Sequence, residues 1–250
     1  MTTLRRSALL TFAAPLALGL AACGDSATTE GEVAEGEPIA DIAAPAGQSW
    51  ADTATVSEYD GYVMGNPDAP VKLVEYASLT CGACAAFSTD AAEPLREEYI
   101  NSGVVSYEIR NQVHNPIDLV LARLVRCGQP ESFHPLAEQV WSNLSQVMQQ
   151  AQANGPALEA AMSLPEDQRF AAIGEASGLF DFFAARGISR DQARTCLADN
   201  ASVMAIAQRS EDQSTEFNVT GTPTFFLNGS RVDGTSWTVV EPLLQRAGAR

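Results

Sequence analysis

Lysine is nearly missing: Lys72 is the single one, and 15 Lys+Arg residues face 31 Asp+Glu for a formal charge of −16. Phosphate binding needs clustered cations, whereas the arginines here are scattered, so nucleic acid is excluded as a partner. Histidine is scarce too, with only His114 and His134. Long hydrophobic runs are lacking. The one apolar stretch, Ala8 to Leu20, is too short for a comfortable transmembrane helix, which excludes a multi-span membrane protein. Nothing repeats at a fixed period, so solenoids and propellers are excluded as well. What is present is 250 residues with 46% apolar content, enough for one large domain or two small ones around a sizeable core.

Arg5 and Arg6 stand ahead of Ala8–Leu20 in the order of a signal peptide, and export is expected. The sequence Leu20-Ala21-Ala22-Cys23 resembles the lipobox of bacterial lipoproteins, whose cysteine becomes the lipidated first residue of the mature chain. Ordinary cleavage at small residues, leaving Cys23 a spare thiol, is the alternative. The expected localisation is the periplasm, as a membrane-anchored lipoprotein with residues 1–22 as signal peptide. From Gly24 to Asp60, nine acidic residues meet no basic one. Self-repulsion with little to bury predicts an acidic flexible tether over 23–60, with a reach of roughly 35 Å. Trp50 and Val56 are the exceptions able to dock on the domain.

The folded domain is expected over 61–250. Val71 to Tyr76 reads as a strand, and the turn Asn66-Pro67-Asp68-Ala69-Pro70 leads into it. A helix is predicted from Ala85 to about Tyr99, and a second strand from Val104 to Ile109. Asn115-Pro116 then caps a helix, opening a largely helical stretch over about 115–216. Its apolar stripes at helical spacing, such as Leu136, Val140, Leu144 and Val147, read as core. Ser189 with Gln192 is a capping-box signature. Pro223 to Leu227, the turn Asn228-Gly229 and Arg231-Val232 predict a hairpin, and Trp237 to Ala247 a closing helix.

Between the first strand and the first helix stands Cys81-Gly82-Ala83-Cys84. That placement puts the first sulfur at a helix N-terminus, where free N–H groups and the macrodipole stabilise a thiolate. Two intervening residues let the sulfurs close a disulfide without distorting the helix start. Zinc sites use the same spacing, but there is no second such pair, and Cys127, Cys196, His114 and His134 lack paired ligand spacing. No metal is expected, and no cofactor beyond the redox-active Cys81–Cys84 pair.

The order strand, Cys-x-x-Cys, helix, strand, helical stretch and Gly221-Thr222-Pro223-Thr224-Phe225 before a hairpin resembles DsbA-like thiol–disulfide oxidoreductases. So do Gly65 to Pro70 and Glu75 to Ser78. The resemblance covers roughly 60–248. It implies an α/β thioredoxin fold with a long helical insertion between the second and third core strands. It further implies a cis Pro223 beside the sulfurs, with the Thr222 backbone turned to pair with substrate. Glu75 matches the family's buried acid, which moves protons on and off the second cysteine; an edge-facing, solvated glutamate is its alternative.

Gly82-Ala83 departs from the Pro-His pair of the strongly oxidising members, which implies a less oxidising couple and leaves the direction of electron flow open. By parity, Cys127 and Cys196 are left to form a structural disulfide, with two buried free thiols as the alternative. The implied partners are exported protein thiols or disulfides and a membrane redox partner, with contact to the membrane through the lipid anchor. A thioredoxin-fold binding module, chaperone-like or metal-handling, is the second reading.

Overall fold

The computed structural model describes residues 35–250. Six strands form one sheet: β1 (Ala54–Val56), β2 (Tyr62–Gly65), β3 (Val71–Ala77), β4 (Val105–Asn111), β5 (Thr224–Leu227) and β6 (Ser230–Arg231). They are ordered β1-β2-β4-β3-β5-β6. The β3–β4 pair is parallel and all others are antiparallel. A parallel neighbour needs a crossover, and α1 (Gly82–Pro94) supplies it. Pro94 brings no N–H, and the helix widens beyond it into a π-helical stretch, Leu95–Ile100.

β3 is central, and Val71, Leu73, Glu75 and Ala77 on one face are all fully buried. Phe225 lies opposite Glu75 in the β3–β5 register. Its ring stands 4.5 Å from Phe87 of α1, and Phe87 in turn lies 6.2 Å from Trp237 of α10 (Trp237–Arg246). Thus α1 and α10 cover the face that carries Glu75. On the other face Arg110 clasps both carboxylate oxygens of Glu108, donates to the Tyr76 hydroxyl and sits 4.0 Å above the Tyr59 ring.

Between β4 and β5 lie eight helices: α2 (Pro116–Leu124), α3 (Phe133–Ser142), α4 (Leu144–Ala153), α5 (Gly155–Met162), α6 (Glu166–Ala176), α7 (Leu179–Ala184), α8 (Arg190–Ala198) and α9 (Asn200–Glu216). This is a thioredoxin-like α/β fold with a helical insertion between core strands. Asn115 accepts the Asp118 N–H to cap α2, and Ser189 accepts that of Gln192 to cap α8. Cys127 and Cys196 are disulfide-bonded with Cα atoms 6.0 Å apart, tying the end of α2 to α8.

The flexible tether expected up to residue 60 needs correction. Gly36 N–H donates to Arg246 O at 2.8 Å, Ile39 N–H to Gly248 O at 2.9 Å and Ile42 N–H to Ser102 O at 2.7 Å. Trp50 Nε1 donates to Ile42 O at 2.7 Å, and β1 then pairs along β2 as the sheet edge. Composition weighs charge but not main-chain pairing, and here one of the charges is also answered: Asp60 meets Arg126 at 2.5 Å and Arg209 at 2.9 Å. Residues 1–34, with the signal peptide and Cys23, lie outside the described residues. Among the described residues no helix is long and apolar enough to cross a membrane.

Candidate active site

Cys81 is the residue before α1, in extended backbone conformation, and its Sγ accepts the N–H of Cys84 at 3.3 Å. The helix starts earlier than its apolar pattern implies because sulfur takes the capping role that oxygen usually fills. Cys81 is half-buried, Cys84 is fully buried one turn inside, and both are free thiols. The Thr222–Pro223 peptide is cis, and Cys81 Sγ donates to the Thr222 carbonyl at 3.3 Å. Thr222 Oγ1 is buried without a partner.

Burial and hydrogen bonding drive the two sulfurs apart. Cys81 is lowered to about 5, first by the Cys84 thiol, against its own burial, with further help from the N–H groups of Cys84 and Ala83. Cys84 is pushed up, by serving Cys81 as a donor, by burial and by the charge of Glu75. One sulfur is a ready thiolate and the other holds its proton. No histidine takes part in this; short-range donors at the helix start supply the stabilisation.

Glu75 is fully buried beneath the pair. The Tyr107 hydroxyl of β4 donates to its Oε2, and Oε1 has no hydrogen-bond partner. Burial raises Glu75 to about 8, opposed by the Tyr107 hydrogen bond and supplemented by the nearby Cys81 charge, with a weaker opposing pull from the Cys84 thiol. The carboxyl is therefore poised to give or take a proton near neutrality.

The loop from β3 to Cys81 is clamped by a residue that the sequence did not single out. Asp118, buried on the first turn of α2, accepts the Leu79 N–H at 2.9 Å, the Ser78 hydroxyl at 2.6 Å and the His114 N–H at 3.0 Å. Trp141 Nε1 of α3 donates to Ser78 O at 3.0 Å, and the Cys81 N–H shares that oxygen at 3.2 Å. The insertion thus holds the backbone that aims Cys81. The available signal was an aspartate three residues beyond a strong helix cap, at a site where α2 is otherwise apolar.

His134 lies in the interior, with Nε2 on Tyr62 O at 2.9 Å, and burial lowers it to about 4. Next to the Thr222–Pro223 peptide, a groove of about 480 Å³ runs along Thr220 and Gly221 between His114 and the α9 residues Ser210, Glu211 and Ser214.

Residues 57–245 match a family model described as thioredoxin. A solved structure described as a protein-disulfide isomerase from Novosphingobium aromaticivorans is 29% identical, with a TM-score of 0.68 over 74% of this chain and 96% of that one. The structure of α-DsbA1 from Wolbachia pipientis, 20% identical, shares the fold with a TM-score of 0.58 over 75% and 92% of the two chains. Among curated proteins, a Rickettsia bellii chain named for protein-disulfide oxidoreductase activity is 22% identical over 187 residues, 74% of this chain and 63% of its own. A Rickettsia conorii chain of the same kind is 26% identical over 186 residues, 74% and 59%. The chain thus spans about three fifths of the length of the curated relatives it matches. With the matched segment running from just after β1 to the last turn of α10, the chain belongs to the thioredoxin family.

Proposed function

We propose that this protein is a thiol–disulfide oxidoreductase that exchanges disulfides with exported proteins through Cys81 and Cys84. The observation that carries the reading is the asymmetry of the pair: a half-buried Cys81 capping α1 as a thiolate, and a buried Cys84 behind it. In the oxidised enzyme a substrate thiolate attacks Cys81 Sγ, and the Cys81–Cys84 bond breaks with its electron pair on Cys84. Glu75 hands that sulfur a proton. A second substrate thiolate then attacks the substrate sulfur of the mixed disulfide and expels Cys81, which leaves as a thiolate. The substrate has lost two electrons and the enzyme pair has gained them.

A low leaving-group pKa speeds the last step, and a stabilised thiolate favours the reduced enzyme, so the direction proposed is disulfide donation. A membrane redox partner would then restore the disulfide. The Thr222 main chain and the groove along Thr220 and Gly221 are the proposed seat of the substrate strand, with Pro223 fixing the turn between them and β5. Export and lipidation at Cys23 belong to the same proposal and rest on Arg5-Arg6, the run to Leu20 and Leu20-Ala21-Ala22-Cys23.

The test is stoichiometric: oxidised protein is mixed with a reduced, unfolded polypeptide carrying two cysteines, and its disulfide is followed. Transfer that vanishes in Cys81→Ala supports the proposal; Cys84→Ala, offered the same polypeptide as its disulfide, should accumulate the mixed disulfide, because the Cys81 thiolate attacks the substrate bond and no second thiol resolves it. A Cys81→Ala variant as fast as wild type overturns it. For the anchor, Cys23→Ser should leave the protein soluble; membrane association as strong as wild type overturns lipidation there.

A further inference from the structure

We propose that Tyr107 is the positioning residue that governs proton transfer between Cys84 and Glu75. The inference rests on the exchange reaction proposed above and adds the part that makes its buried acid work. Tyr107 and Glu75 lie on neighbouring strands, and their side chains meet in a space closed to water. The phenol donates to Oε2, which fixes the carboxyl plane and leaves Oε1 as the unpartnered oxygen. A buried acceptor left open is costly, and the only proton nearby that moves during exchange is that of Cys84.

In the resolving step the Cys84 S–H bond gives its proton to Glu75 Oε1. The freed thiolate attacks Cys81 Sγ in a mixed disulfide, the Cys81–Cys84 bond forms, and the bound thiol leaves with the electron pair. Tyr107 keeps its proton throughout, since burial and the Glu75 charge both push the phenol well above its ordinary range. It therefore acts as a fixed neutral donor. A cation in its place would hold Glu75 ionised through the whole neutral range, whereas a phenol offsets only part of the burial cost.

The groups that face this pair bear on the same titration. From α1 these are Cys81 and Cys84 against Glu75. From α3 they are His134, whose ring centroid is 5.4 Å from that of Tyr107, and Glu138. Glu138 is paired with Arg96 at 2.7 Å, and burial lowers His134 to about 4, so its ring supplies no competing charge change near pH 8. From β5 the neighbour is Phe225, which carries no charge.

The experiment follows release of thionitrobenzoate from its mixed disulfide with Cys81, from pH 5 to 10, in the full chain. Release requires attack by Cys84, so wild type should show a rise whose midpoint reports Glu75. Tyr107→Phe keeps the ring and removes the donor; the midpoint should move up by about one pH unit, with release about tenfold slower at pH 7. Cys81 alkylation should keep its own pH profile. If Tyr107→Phe fails to fold, 3-fluorotyrosine placed at 107, a stronger donor, should move the midpoint down instead. An unmoved midpoint in either protein, with Glu75→Gln abolishing the rise, overturns the role of Tyr107 alone. Wild-type behaviour in Glu75→Gln overturns the Glu75 step and Tyr107 with it. Absence of Cys84-dependent release from wild type overturns the exchange reaction itself.

Discussion

Cys81 Sγ lies 3.3 Å from the carbonyl oxygen of Thr222, a residue 141 positions further along the chain. The whole helical insertion separates them in sequence, while β5, antiparallel to β3, brings them together in space. The proposed exchange site is thus made at a sheet seam, where under that proposal the main chain of Thr222 pairs with an incoming strand while the strand's sulfur meets Cys81.

Glu75 should make the reduced protein less stable as pH rises. Its carboxyl holds a proton up to about 8 in the fold but releases it near 4.5 when unfolded. Between those values the folded state binds more protons, so stability is full below the unfolded value and falls up to the folded one. Glu75→Gln should remove that slope, with a gain on the order of a few kcal/mol at the alkaline end. Exchange should slow about a hundredfold for want of the acid. Denaturation of reduced wild type and variant at pH 4, 6 and 8 checks the first claim; parallel curves would refute it.

Asp118→Ala strips the acceptor from the Ser78 hydroxyl and from the Leu79 and His114 N–H groups, all near the sulfurs. Leaving buried donors unpaired should cost about 3 kcal/mol or more. Asp118→Asn retains one acceptor oxygen and should lose less than half as much. In both variants the Cys81 pKa should rise as the loop that aims it loosens. Urea midpoints combined with alkylation profiles would read both effects together.

Much of this site was legible in the chain, and the reason is local. A strand, a Cys-x-x-Cys and a helix specify where Cys81 and Cys84 go, because helix capping is decided within four residues. Cys127 and Cys196 could be matched by counting. The contacts that tune the sulfurs were not legible. Tyr107 reaches Glu75 only through the parallel register of β3 and β4, and Asp118 reaches Ser78 only once α2 packs against the loop. The docked segment was misread for a related reason. Its seat includes Gly103, where a Cβ would come within 2.3 Å of Ile42 O and 2.5 Å of Trp50 Nε1, a fit made between distant residues.

The Cys127–Cys196 bridge, spanning 69 positions, closes a long loop inside the insertion. Replacing both cysteines by serine should cost about 4 kcal/mol on the chain-entropy model. Because α1 is untouched, Cys81 should keep its reactivity below the melting transition. Thermal unfolding of the double variant, with alkylation measured at 25 °C, separates the two effects. A large change in Cys81 reactivity would show instead that the bridge reaches the exchange site.

The most direct test of the central claim is the pH dependence of alkylation of the reduced protein, with each cysteine resolved by mass spectrometry. Cys81 should react as a thiolate with a midpoint of about 5, while Cys84 stays protected across the neutral range. A Cys81 midpoint near the ordinary thiol value of about 8.5, or equal reaction of the two sulfurs at pH 7, would contradict it.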